Sequence, residues 1–199
     1  MEFQHRRKGI LDNAEKIFAA KGFYDTTMAE IADASGFAIG SLYHFFEGKE
    51  HLFTTMMSEK LDMMYADIQE SVNGVKGTLN KISALARRQF DFVENNVDFF
   101  NLLIRGEGMS LSNKNVVLRE KVVANHFRYL TFIEGIMRKG IQEKSLKAME
   151  PRIMACVLLG TIRSITYDWM LAGQKNCLSN MVETVLDIVM VGVKAEVSK

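Results

Sequence analysis

Thr27, Ser41, Tyr43 and His44 are the side chains whose type and spacing invite chemistry, and that chemistry is hydrogen bonding, not bond breaking. They lie in TTMAEIADASGFAIGSLYHFFEGK, residues 26–49. No lysine or arginine occurs between Lys21 and Lys49, and Asp25, Glu30, Asp33 and Glu47 make the stretch acidic. A polyanion can still be held there. Helix N-termini offer free N–H groups and the positive end of the helix dipole, and the hydroxyls add donors. The cations stand at the borders: Arg6, Arg7 and Lys8, then Lys21, then Lys49. So few phosphate pairings imply a modest salt dependence and weak binding by one copy of the chain, so that pairing of two copies is needed.

Other chemistries find little support. Cys156 and Cys177 match no zinc spacing, and His5, His44, His51 and His126 are scattered. No metal and no cofactor are expected. No Ser/His/Asp arrangement or phosphate loop is readable. Glu107, between two glycines, is the one loop carboxylate in a suggestive setting. The expectation is therefore that the protein is not an enzyme. A net charge of +1 gives no global attraction to nucleic acid or membranes, so any basic footprint must be local. No apolar run approaches the roughly 18 residues of a membrane span. The opening MEFQHRRKGILDNAEKIFAAKGF is amphipathic with acids inside it, unlike a signal or transit peptide. A cytoplasmic location without membrane contact is the simplest expectation.

The elements that must position these residues read as helices throughout. Helical periodicity and a single proline predict an all-α fold of about nine helices. The first spans about His5 to Lys21 and stops at Gly22. Thr27 and Glu30 form an S/T-x-x-E capping box at the start of the second, and Gly36 ends it. A short third helix covers about Ala38 to Phe45, with Leu42 and Phe45 facing inward and Ile39, Gly40, Tyr43 and His44 facing outward. Gly40 costs a helix about 1 kcal/mol relative to alanine, which close approach to a partner would offset. Longer helices follow over about 49–72, 78–95, 115–140, 151–172 and on to 197, with a short one at about 99–105 between them and Pro151 in the favoured first-turn position. A helix–turn–helix at 27–46 inside a domain of residues 4–64, followed by a second domain at 65–199, is the expected organisation.

On these residues the sequence resembles the tetracycline-repressor (TetR) family of bacterial regulators. The likeness begins at ILDNAEKIFAAKGFYDTT, continues through TTMAEIADASGFAIGSLYHFFEGKEHLF, and covers about residues 7–55. The remaining three-quarters match only in helix number and length. The resemblance implies that Thr27 and Lys49 contact phosphate, and that Gly40, Ser41, Tyr43 and His44 touch phosphates and base edges of a double-stranded DNA operator. Ala38 and Ile39 depart from the family pattern. Ala38 forfeits a side-chain cap worth about 1 kcal/mol. Ile39 cannot donate to guanine, although it can meet a thymine methyl group.

The resemblance also implies a ligand pocket in the second domain. A stripe of large apolar residues, among them Met64, Phe92, Phe99, Leu103, Phe127 and Tyr167, would line it, with Arg88 and His126 as its polar members. The competing reading is core for the apolar residues, and a solvated or structurally paired side chain for Arg88 and His126. The 13 methionines suit a permissive apolar site for a small hydrophobic effector. Helices 8 and 9 are too apolar for one buried face each. Gly160 and Ser164 on one, and Val185 and Val189 on the other, are the expected homodimer residues, and a two-fold dimer would match a palindromic operator. The leading reading is a ligand-responsive repressor, with helix 4 as the lever. The alternative is an all-α small-molecule-binding protein or enzyme with a vestigial DNA-binding domain.

Overall fold

The i, i+4 spacing of Ile10, Ala14 and Phe18 gives the first helix, α1 (Glu2–Lys21), one fully buried face. It starts earlier than its periodicity suggests. The Phe3 ring lies 4.6 Å from that of Phe45, and Glu2 pairs with Arg6 one turn on, so the first turn has partners of its own. The computed structural model describes residues 2–104 and 116–193. Glu107 and the end of the last expected helix fall outside them.

Nine α-helices and one 3-10 turn make up the regular structure of the described residues, which contain no β-strand. After α1 come α2 (Met28–Ser35), α3 (Ile39–Phe45), α4 (Lys49–Asn73), α5 (Thr78–Glu94) and α6 (Val97–Ile104). Then follow α7 (Val116–Gln142), α8 (Pro151–Leu171), the 3-10 turn Leu178–Met181, and α9 (Val182–Val193). The all-α expectation holds, and Pro151 does open its helix.

The chain divides into two compact units: Met1–Asp62 with Asn96–Val122, and Met63–Asn95 with Val123–Lys199. The core of the first joins α1, α2, α3 and the start of α4 through Phe18, Ile31, Leu42, Leu52 and Phe53, and takes in Phe99 and Leu102 from α6. A single cut in the sequence does not capture this, because α6 belongs with helices that lie far before it. In the second unit, Ile82, Leu85 and Phe90 of α5 are fully buried, as are Ile133 of α7 and Ile162 of α8. Gly140 marks a close approach in that unit. A methyl group there would lie 2.6 Å from side-chain atoms of both Leu146 and Thr78.

Candidate nucleic-acid interface

Local sequence builds the helix–turn–helix almost unaided. At the start of α2, the Thr27 N–H donates to Glu30 Oε2 at 2.9 Å, and the Glu30 N–H donates to Thr27 Oγ1 at 3.2 Å. This reciprocal box satisfies two backbone donors that a helix start otherwise leaves open. Hydrogen bonding from Lys21, with that from the Thr27 backbone and hydroxyl, holds the Glu30 carboxyl down to about 2. Gly36 then adopts φ 73°, the left-handed conformation that glycine takes without penalty, and the Phe37 N–H closes back on Ala32 O at 3.0 Å.

The third helix presents the outward face that the sequence indicated. Leu42 is fully buried, whereas Ile39 is 46% and Tyr43 52% exposed, with Gly40 and His44 also exposed. Ser41 is half-buried. Ala38 makes no side-chain cap. A Cβ on Gly40 would meet nothing within 4 Å, so no neighbour inside the protein requires glycine there.

The border cations are mostly engaged by the protein itself. Arg6 pairs with Glu2, and Lys21 with Glu30. Arg7 bonds Glu59 at 2.5 Å and lies over the Phe46 ring. Lys49 Nζ donates to the carbonyls of Thr26 at 2.7 Å and Tyr24 at 3.2 Å, and sits 4.6 Å from the centre of the Phe23 ring. Lys49 therefore ties the α1–α2 turn to the start of α4. Sequence reasoning missed two residues here. The Glu47 N–H donates to His51 Nδ1 at 3.1 Å, closing the α3–α4 turn. Lys121 of α7 lines an open groove with Lys49, His51 and Thr54. The spacing Glu47-x-x-x-His51 was visible in the sequence; the arrival of Lys121 was not.

The expected effector residues fall in different environments. Phe99 is fully buried in the core of the first unit and Leu103 packs against that core, so both serve packing there instead of lining a pocket in the second domain. Phe92 is buried and Met64 half-buried. Arg88 bonds Asp67 at 2.6 Å, which raises its already high pKa, and it borders a groove with Ser71, Asn80 and Asp91. Phe127 and Tyr167 are about half exposed. His126 lies 3.1 Å from Arg163, a partner the sequence did not suggest.

The expected dimer residues also separate. Gly160 and Ser164 are exposed, and they share one face of α8 with Ile153, Val157, Tyr167 and Leu171, spaced alternately four and three residues apart. Tyr167 thus belongs to this outer stripe. Val185 and Val189 are corrections: at 2% and 6% exposure they face inward and have no surface left for a partner. The outward apolar residues of α9 are Ile188 and Val191, at 69% and 80%.

Comparison with known proteins decides the family. Residues 10–56 match the profile of bacterial regulatory proteins of the tetR family, and residues 57–192 match that of the C-terminal region of YsiA-like proteins. The chain belongs to the tetR family of bacterial regulators. As such it is a DNA-binding transcriptional regulator. It is 25% identical over 185 residues to the fatty acid metabolism regulator protein of Bacillus subtilis (strain 168), covering 92% of this chain and 93% of that one. Over 89 residues it is 33% identical to the transcriptional repressor KstR2 of Mycolicibacterium smegmatis, covering 45% and 43% of the two chains. The crystal structure of Bacillus subtilis FadR in complex with stearoyl-CoA superposes with a TM-score of 0.80 at 24% identity, over 93% of this chain and 98% of that one. The TetR fold is thus shared across both parts of the chain. No described helix is long and apolar enough to cross a membrane.

Proposed function

We propose that this regulator is a homodimeric, cytoplasmic repressor that binds a palindromic operator and releases it when a small hydrophobic effector binds. The outward face of α3 carries the reading: two large side chains, Ile39 and Tyr43, stand in water around a glycine that nothing in the protein requires. Thr27, Gly40, Ser41, Tyr43 and His44 make the DNA contacts, and the helix starts supply N–H groups to phosphate. Ala38 and Ile39 favour an operator with a thymine methyl group at the position Ile39 meets. The DNA-binding domain begun by residues 4–64 takes α6 into its core, and effector binding and dimerisation fall to α5, α8, α9 and the rest of α7, with regulation as the protein's role and no catalytic step.

The dimer forms through the outer stripe of α8 and the Ile188–Val191 face of α9, since exposed apolar area of that extent marks an interface. An acyl compound suits the effector site, in keeping with the fatty-acid regulator among its relatives. Such a ligand acts only through its different affinities for the DNA-bound and free states.

A gel shift with DNA from the chain's own upstream region tests the whole proposal. The expected result is a shift by the dimer at low salt, lost in Tyr43→Ala and reversed by long-chain acyl compounds. Absence of a shift by a folded dimer, with Tyr43→Ala indistinguishable from the parent, rejects it.

A further inference from the structure

Residues 46–48 join α3 to α4, and the direction in which α3 points depends on them. The Phe46 N–H turns back to Leu42 O at 2.9 Å and closes α3, and the Leu52 N–H takes Gly48 O at 3.0 Å and opens α4. Gly48 has no side chain with which to cap α4. Between these two bonds the Glu47 N–H finds its acceptor in the first turn of α4, at His51 Nδ1, 3.1 Å away. His51 thus reaches back over the link from the helix that follows. Its ring stands edge-on to that of Phe46, centroids 6.0 Å apart, and Phe46 is buried in one core with Leu42.

Hydrogen-bond chemistry fixes the protonation state that this bond needs. A backbone N–H can only donate, so Nδ1 must carry a lone pair and the proton of the imidazole sits on Nε2. An imidazolium has an N–H at both nitrogens, so the bond from Glu47 would be replaced by two hydrogens facing each other. The first turn of α4 is also the positive end of its dipole, which disfavours a cation there. The charged side chains around the ring offset one another. Glu47 and Glu50 bring carboxylates to the groove that His51 lines, Lys49 and Lys121 bring ammonium groups, and Thr54 is neutral. Arg7 of α1 lies over the Phe46 ring but is paired with Glu59.

We propose that His51 is a positioning residue for operator binding: as a neutral imidazole it braces the α3–α4 link and holds α3 in its DNA-reading orientation, and protonation releases the brace. This rests on the reading of α3 as the helix that meets DNA, and it adds a proton to the effector as a second signal. The step moves one proton from solvent to Nδ1 and breaks one hydrogen bond, that from the Glu47 N–H.

The test is fluorescence anisotropy of the full chain on its own upstream DNA at about pH 8 and about pH 5.5, either side of the range in which imidazoles change charge. His51→Asn keeps an acceptor near the place of Nδ1 but takes up no proton, and His51→Leu removes the acceptor. At the higher pH, His51→Asn should bind as the parent does and His51→Leu more weakly by up to about tenfold, the scale of one net hydrogen bond. At the lower pH the parent should lose a similar factor relative to His51→Asn. Effects common to both chains, such as protonation of the exposed His44 on α3, cancel in that ratio. In the free chain the Glu47 amide resonance should follow the imidazole titration in the parent and not in His51→Asn, which reads the bond without DNA. Parallel pH profiles for the parent and His51→Asn, or a folded His51→Leu as tight as the parent at the higher pH, overturn the proposal and leave α3 as the DNA-reading helix. A folded, dimeric parent that binds no DNA at either pH overturns both.

Discussion

Lys49 separates two roles that the family resemblance merges. Its ammonium donates to two backbone carbonyls of the α1–α2 turn and rests on the Phe23 ring, so much of its bonding capacity is used inside the protein. If its part in DNA binding is to position α2 against α4, Lys49→Met should weaken operator binding without changing the slope of log K against log salt. A direct phosphate contact would instead reduce that slope by about one. Fluorescence anisotropy across a salt series reads the difference. Glu30 makes a second residue-level case. Its pKa is near 2 in the folded chain against 4.5 ordinarily, so the unfolded state binds the proton first. The stabilisation it gives α2 is complete above pH 4.5 and is lost as pH falls through about 2. Glu30→Gln should therefore melt lower than the parent at pH 6, and the gap should close towards pH 2, as followed by circular dichroism.

At the scale of elements, two glycines predict opposite outcomes. Gly140→Ala forces a methyl group to within 2.6 Å of Leu146 and Thr78, and overpacking of that kind costs about 1–3 kcal/mol. Gly40→Ala meets nothing, so α3 should gain up to about 1 kcal/mol in helix propensity. The same substitution should weaken DNA binding if the exposed face of α3 meets the operator as proposed, because the added methyl stands on that face. Denaturant melts and gel shifts of the two variants check both halves. These elements were legible because their signals are local: the Thr27–Glu30 box, the stops at Gly22 and Gly36, and Pro151 at the head of α8. What could not be read was non-local. Nothing in VDFFNLLI says that Phe99 and Leu103 join the core built by α1, α2, α3 and the start of α4. In VETVLDIVMVGV, valine and isoleucine occupy both faces, so periodicity could not tell inward Val185 and Val189 from outward Ile188 and Val191.

For the whole molecule, the acidic helix–turn–helix and the apolar α8 and α9 faces are one problem. With Arg6, Arg7, Lys21 and Lys49 engaged within the protein, a single copy has few cations to spend on phosphate. Surface ion pairs such as Arg6–Glu2 are worth at most about 1 kcal/mol and can be exchanged for phosphate, yet that adds little affinity per copy. Joining two copies makes the second binding event intramolecular and multiplies the affinity without new contacts. If the proposed dimer forms through it, the stripe Ile153, Val157, Gly160, Ser164, Tyr167 and Leu171 serves DNA recognition as much as α3 does. Ile188→Glu places a charge on the outward face of α9 and should yield a folded monomer by light scattering, with operator binding lost. Val185→Ala cuts the inward face and should do the reverse: a fold weaker by about 2 kcal/mol, a dimer at the parent's mass, and operator binding retained below the melting temperature. Were Ile188→Glu to remain dimeric while Val185→Ala fell apart into folded monomers, the outward and inward faces of α9 would have to be exchanged.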